Sequence, residues 1–224
     1  MAELVKILTK HQEQFLGLVA KERYFCEHFY LTGGTALAAF YLHHRYSEDI
    51  DLFSEEEFDL SGIRSFVGKT QKILKLEKVD YRQYYGLHIF ELFFPGGNVL
   101  KVDFNYYPFG QIEKSRLAYM NLFPVDSVID IAANKVQTIA TKPRARDFID
   151  LYYIIQKYNY SMNDLLVQAR AKFDWHIDRI QLGSRFLMVS EIKDFPHMIQ
   201  TIKHEEWQKF FLEEAKNLKP DIIS

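Results

Sequence analysis

The sequence is poor in cysteine, in net charge and in long apolar runs, and each shortage removes a class of protein. Cys26 is the only cysteine among 224 residues, so an intramolecular disulfide and a thiolate-based zinc site are both excluded, in keeping with a reducing compartment. Lys plus Arg number 28 against 30 Asp plus Glu, a net charge of -2. The chain therefore has no global attraction to nucleic acid or membrane, and any polyanion must be met by a local patch. Met1 to Lys10 interleaves Glu3, Lys6 and Lys10 with apolar residues, unlike a signal peptide, and no segment approaches transmembrane length. These features predict a soluble, cytoplasmic chain without a membrane partner. Glycine and proline are also sparse, at 10 and 6, whereas 48% of residues are hydrophobic, enough to bury a substantial core in one domain or two closely packed ones.

Local patterns predict an α+β fold. Leu4, Ile7, Leu8, Phe15, Leu18 and Val19 recur at spacings near three and four, the pattern of one amphipathic helix from Leu4 to Cys26. Phe29-Tyr30-Leu31 ends at Gly33-Gly34, and Thr35 to Leu42 is rich in helix formers, which reads as strand, glycine turn, helix. Ile50 to Phe53 reads as a second strand and Leu60 to Leu76 as a helix. Val79 to Tyr85, Leu87 to Phe94 and Asn98 to Tyr106 follow as a strand and a hairpin, with Pro95-Gly96-Gly97 at the hairpin turn. Beyond Pro124 the pattern turns helical. Asp126 or Ser127 can cap a helix to Thr141, and Ala145 to Lys157, Met162 to Phe173, Arg179 to Val189 and Glu205 to Leu218 extend the series. The expected division is residues 1–125 as a strand-and-helix core and 126–224 as a helical region contributing to the active site, packed as one catalytic unit.

The segment Ser47-Glu48-Asp49-Ile50-Asp51-Leu52-Phe53 carries the most chemistry. Side chains alternate along a strand, so Asp49 and Asp51 share one face, with Cα atoms about 6.6 Å apart. Two like charges beside apolar neighbours repel and are costly to desolvate unless a cation neutralises them. Oxygen-only ligands favour magnesium or manganese over zinc. Taken alone, the motif also suits the solvated face of an edge strand. Gly33 and Gly34 let a backbone approach a phosphate closely, and Thr35 adds a hydroxyl donor. In Val99 to Asn105, Leu100, Val102 and Phe104 share one face, and Lys101, Asp103 and Asn105 the other. Asp103 is thus a candidate third acid that can ligate a metal and help take a proton from an attacking hydroxyl, or a surface residue of an amphipathic hairpin.

Four ordered motifs carry a family resemblance. Leu31-Thr32-Gly33-Gly34-Thr35-Ala36-Leu37, His44-Arg45-Tyr46-Ser47-Glu48-Asp49-Ile50-Asp51-Leu52-Phe53, Asp130-Ile131-Ala132-Ala133-Asn134-Lys135 and Arg144-Ala145-Arg146-Asp147-Phe148-Ile149-Asp150-Leu151-Tyr152 resemble the signature of AbiEii-type nucleotidyltransferases. These are toxins of bacterial toxin-antitoxin and phage-defence systems. The resemblance implies a polymerase-β-like core with a mixed sheet, followed by a helical region, using a nucleoside triphosphate and two magnesium ions, with manganese as a substitute. Asp49 and Asp51 would hold the metals, with Asp103 in the place of the third acid. Gly33, Gly34 and Thr35 would cradle phosphates, Lys135 would neutralise triphosphate charge, and Asp147 would support the nucleotide site. It further implies the 3′ end of tRNA as acceptor and a cognate antitoxin protein as partner. Thr35 stands where many nucleotidyltransferases carry Ser, which preserves the hydroxyl. Nothing after Tyr160 corresponds residue by residue.

Other residues have plainer readings beside functional ones. Lys135 suits a snorkelling helix lysine, and Asp147 and Asp150 suit ion pairing with Arg144 and Arg146. Arg45 can steer phosphate or pair with Glu48. His43 and His44, adjacent on a helix, point about 100° apart and read as structural. Tyr81, Tyr84, Tyr85, Tyr106 and Tyr107 can offer stacking surfaces. Lys142, Arg144, Arg146, Arg170, Lys172, Arg179 and Arg185 can form an RNA-facing surface or ordinary solvated helix faces. Two rival functions stay open: a kinase-like phosphotransferase modifying a protein or small molecule, and a non-catalytic nucleotide- or partner-binding module.

Overall fold

The computed structural model of the chain describes residues 7–174 and 178–218. The chain divides into two compact units. The first comprises Met1–Ala39, Ser47–Gly110 and Lys114–Ser127, and the second Phe40–Tyr46, Gln111–Glu113 and Val128–Ser224.

The first unit contains α1 (Lys10–Val19), α2 (Arg23–His28), β1 (Tyr30–Thr32), the single turn α3 (Gly33–Ala36), β2 (Ile50–Ser54), α4 (Leu60–Leu74), β3 (Lys78–Tyr84), β4 (Leu87–Phe93) and β5 (Val99–Tyr106). Its five-stranded sheet runs β1-β2-β5-β4-β3. Every pairing is antiparallel except that of β2 with β5, so the sheet is mixed, as the resemblance implies. Period-two alternation sorts the strands. Ile50 and Leu52 of β2, with Leu100, Val102 and Phe104 of β5, are buried, and the rings of Phe25, Phe29 and Phe90 meet Phe104 within 5.8 Å. The opposite face is left to the acids. A short ribbon of β6 (Ala118–Tyr119) and β7 (Phe123–Pro124) has no sequence signal.

Two expectations need correction in this unit. Of the single helix expected from Leu4, the start lies outside the described residues, and the rest is two helices broken at Ala20–Glu22. Phe15 and Phe25 would lie about 15 Å apart along one continuous helix. Both rings pack on Phe66 of α4, at 5.9 and 4.6 Å, which requires the chain to turn between them. The glycines do not precede the next helix; they form its first turn, and the Leu37 N–H reaches the carbonyls of Gly33 and Gly34. The helix then widens to π geometry over Leu37–Leu42 and stops where His43 adopts φ +53°.

The second unit is helical: α5 (Val128–Thr141), α6 (Ala145–Tyr158), α7 (Met162–Phe173), α8 (Arg179–Leu187) with a 3-10 turn at Met188–Ser190, and α9 (His204–Asn217). Ser161 caps α7 and Asp178 caps α8 through their side-chain oxygens. Phe148 packs against Phe211 at 4.8 Å and Trp207 at 6.2 Å, and Phe186 against Phe211 at 5.2 Å. Residues 40–46 are fixed within this unit by backbone bonds. Tyr46 N donates to His197 O, and Ile199 N and Gln200 N both donate to His44 O, at 2.9 to 3.0 Å.

Candidate active site

The sheet register gathers the three predicted acids. Asp51 is the register partner of Asp103 on β5 and of Thr32 on β1, so the two carboxylates share a face with Cα atoms about 4.8 Å apart. Asp49 enters the same cluster from the residue before β2, through Lys101: the lysine Nζ lies 2.5 Å from Asp103 Oδ2 and 3.6 Å from Asp49 Oδ2. Asp103 is 6% exposed, and its Oδ1 is buried without a hydrogen-bond partner.

Gly33 and its neighbours shape this cluster from behind. Gly33 adopts φ +70°, and a Cβ placed on it would fall 2.2 Å from Asp51 Oδ2. Only glycine satisfies both conditions. The Thr35 hydroxyl, buried, donates to the backbone carbonyl of Asp49, so it fixes the entry to β2 instead of standing free for a phosphate. Gly34 sits half-buried in the same turn. Gln12 holds the segment from its other side: its Nε2 donates to Ser47 O at 2.8 Å and Glu48 O at 3.2 Å. Thr32 Oγ1 donates to Asp126 Oδ2 at 2.6 Å, fully buried.

Charge governs the cluster. Two carboxylates about 5 Å apart repel by roughly 3 kcal/mol at an effective dielectric of 20. Burial pushes the Asp103 carboxyl above its ordinary value; Lys101 works against that rise and Asp49 adds to it. Burial alone would lower the Lys101 ammonium, but Asp103, Asp49 and Asp51 outweigh it and hold the amine above its usual range. Among the described residues no three His, Cys, Asp or Glu side chains are gathered as a closed cation site; a lysine ammonium stands between two of the acids. The donor set itself suits magnesium: all oxygen, anionic, with one buried carboxylate oxygen lacking a partner.

Lys135 and Asp147 belong to a different cluster, inside the second unit. Lys135 Nζ lies 2.7 Å from both Asp147 Oδ1 and Asp150 Oδ2. Asp147 also accepts from Arg144 Nε at 2.8 Å. Asp150 accepts from Arg45 through Nε at 2.7 Å and a terminal nitrogen at 2.8 Å, and bonds His44 Nε2 at 2.8 Å. Arg45 therefore pairs with Asp150, not Glu48, and Lys135 has its charge engaged by two buried carboxylates. Burial opposes ionisation of Asp147 and Asp150, but Lys135 with Arg144, and Arg45 with Lys135, outweigh it and hold both below the ordinary carboxylate value. Asp130 in the third motif is an anchor: it accepts from Ile112 N, Glu113 N and Lys172 Nζ, at 2.7 to 3.0 Å. The Lys172 side chain is fully buried on Asp130, which removes it from the expected RNA-facing set.

Sequence reasoning passed over Lys101 and Gln12. Lys101 was visible as the residue sharing the polar face of Asp103, and Gln12 as the last residue of the Thr9-x-x-Gln12 capping box, whose two bonds are 3.2 and 2.9 Å.

A mixed sheet that pairs two acids across parallel strands, with a glycine-started helix against them, agrees with the α+β nucleotidyltransferase core that the resemblance implies. The particular family follows from the sequence: residues 18–220 match the family described as Nucleotidyl transferase AbiEii toxin, Type IV TA system, and the chain belongs to it. It is a nucleotidyltransferase. The uncharacterised protein aq_aa25 of Aquifex aeolicus is 30% identical over 151 residues, 66% of this chain and 68% of that protein. Among solved structures, JHP933 from Helicobacter pylori superposes with a TM-score of 0.60 at 17% identity, covering 96% of this chain and 94% of its own. MenT4, the nucleotidyltransferase toxin Rv2826c of Mycobacterium tuberculosis H37Rv, gives 0.52 at 14% identity, covering 92% and 82%. These structural likenesses show the shared fold. Among the described residues no helix is long and apolar enough to cross a membrane.

Proposed function

We propose that the protein transfers a nucleoside monophosphate from a nucleoside triphosphate to an acceptor hydroxyl at the 3′ end of tRNA, with magnesium, as a bacterial toxin restrained by a cognate antitoxin. The observation that carries the transfer chemistry is the register of Asp51 with Asp103, which sets two acids side by side with Asp49 close by and leaves Asp103 Oδ1 unpartnered. Asp49, Asp51 and Asp103 would hold the metal. When bound, magnesium supplies charge neutralisation at the α-phosphate and lowers the pKa of the attacking hydroxyl. Asp103 Oδ1 is the acceptor available to the hydroxyl proton. Gly33 keeps the Asp51 carboxylate in place and leaves the backbone of Gly33 and Gly34 open to phosphate oxygens. Lys135 and Asp147 support the reaction from within the buried ion network, as positioning residues. The tRNA acceptor and the antitoxin rest on the family resemblance and the cytoplasmic setting on the composition; MenT4, whose fold this chain shares, is a nucleotidyltransferase toxin.

The test incubates purified protein and magnesium with total tRNA and each triphosphate, labelled at the α or the γ position. Label from the α position in tRNA is expected. Transfer from the γ position alone would instead show a phosphotransferase, and no transfer with tight nucleotide binding a binding module. Asp49→Asn and Asp51→Asn should each lower transfer by about 100-fold or more with the fold intact; full activity in both would overturn the metal assignment.

A further inference from the structure

Lys101 is the cation at the carboxylate site in this structure, and its surroundings suit a group that can leave. Its Nζ contacts Asp103 Oδ2 at 2.5 Å and Asp49 Oδ2 at 3.6 Å, while the side chain keeps 32% exposure against 8% for Asp103. The lysine thus reaches in from the open side of the site, whereas the acid it neutralises is fixed in the sheet. A further acid waits on the same face: Glu91 is the register partner of Lys101 on β4, and cross-strand partners have Cβ atoms about 5 Å apart. Glu91 is half-buried and held by Arg82 Nη2 at 2.6 Å. An ammonium displaced from Asp103 therefore has a carboxylate within reach of a rotamer change, without entering bulk solvent alone.

We propose that Lys101 is a built-in counter-cation of the acid cluster, which a divalent metal ion must displace toward Glu91 in order to bind Asp49, Asp51 and Asp103. The proposal rests on the transferase reading above and deepens it. Without metal, the lysine spares the sheet the repulsion of adjacent carboxylates. A monovalent ion carries no more charge than the ammonium and is not tethered to the strand, so it competes poorly. A dication brings twice the charge to the same oxygens. The cost of displacing the ammonium lowers the apparent metal affinity and makes metal entry the step that prepares the site.

Mn2+ serves as the probe, with free ion counted by electron paramagnetic resonance on the full chain as wild type, Lys101→Met and Asp103→Asn. Lys101→Met should bind Mn2+ at least about tenfold more tightly than wild type, melt at a lower temperature without metal, and recover that loss when Mn2+ is added. Equal or weaker Mn2+ binding by Lys101→Met overturns the counter-cation role, while wild-type binding that is lost in Asp103→Asn keeps the transferase reading. Equal Mn2+ binding by wild type and Asp103→Asn, or none by any of the three proteins, overturns both. Should Lys101→Met fail to fold, acylation of wild-type amines read by mass spectrometry decides the question. Lys101 should react faster when Mn2+ is present, and an unchanged rate refutes its displacement.

Discussion

Replacing Gly33 with alanine isolates how tightly the acid cluster is built. Two costs add at this position. A side chain at φ +70° sits in the left-handed region, disfavoured by about 1–2 kcal/mol. The new methyl would also lie 2.2 Å from Asp51 Oδ2 and 2.9 Å from its Cγ, far inside van der Waals contact. Overpacking of this kind costs about 1–3 kcal/mol when the surroundings can shift. Here the neighbour that must shift is Asp51, pinned in β2 between Thr32 and Asp103. The sum, about 2–5 kcal/mol, corresponds to a fall in melting temperature of roughly 5–15 °C for a chain of this length. Activity should fall further than stability, because a misplacement of about 1 Å at a reacting centre can cost 100-fold. Differential scanning fluorimetry and α-label transfer at a temperature where both proteins are folded measure the two losses separately. A Gly33→Ala protein that melts within 2 °C of wild type, or keeps full transfer, would refute the close approach of Gly33 to Asp51.

The other predictions concern the buried ions. Asp150→Ala leaves Arg45 and His44 without their shared acceptor and Lys135 with only Asp147, and should cost about 3–5 kcal/mol in urea denaturation; a loss under 1 kcal/mol would show that the network contributes little. Acid should destabilise the protein in two steps. Burial holds the His44 imidazole below its ordinary 6.5 in spite of Asp150, so its contribution is complete above that value and is lost as pH falls through the lower folded value. Asp147 and Asp150, held below 3.8, keep their contribution above that pH and lose it below; Asp103, shifted upward, runs the opposite way and softens the second step. Urea midpoints at pH 7, 5.5, 4 and 3 follow both steps, and His44→Gln should remove the first; identical curves for the two proteins between pH 7 and 5 would contradict the assignment. Gln12→Ala should reduce transfer more than it reduces stability, because its amide fixes Ser47 and Glu48 just ahead of Asp49; a parallel loss of both would make it a simple helix cap.

The strands were legible because their information is local. A period of two over Ile50–Phe53 and Leu100–Phe104 assigns a face to every residue, and that alone placed Asp49, Asp51 and Asp103 on the polar side. Which strands become neighbours is not local: the parallel pairing of β2 with β5 depends on everything between them, and only it reveals that Asp51 and Asp103 stand side by side. The same limit hid the pairing of Arg45 with Asp150, which a local reading gives to Glu48. It also hid the burial of Lys172, because a charged helix residue looks solvated until a buried acid such as Asp130 is brought against it. The break at Ala20–Glu22 holds no glycine or proline of its own; Phe66, which receives Phe15 and Phe25 together, imposes it from the tertiary packing.

The parallel pairing of β2 with β5 has a consequence for how the protein comes into being. Neighbouring antiparallel strands such as β3, β4 and β5 can zip through tight turns, but β2 must wait for a loop containing α4, β3 and β4 to close before it finds its partner, and closing long loops slows folding. Asp51 gains Asp103 only in that late event. If the proposed site is correct, a nascent chain holds an incomplete acid cluster until β5, Val99–Tyr106, has been made and docked on β2.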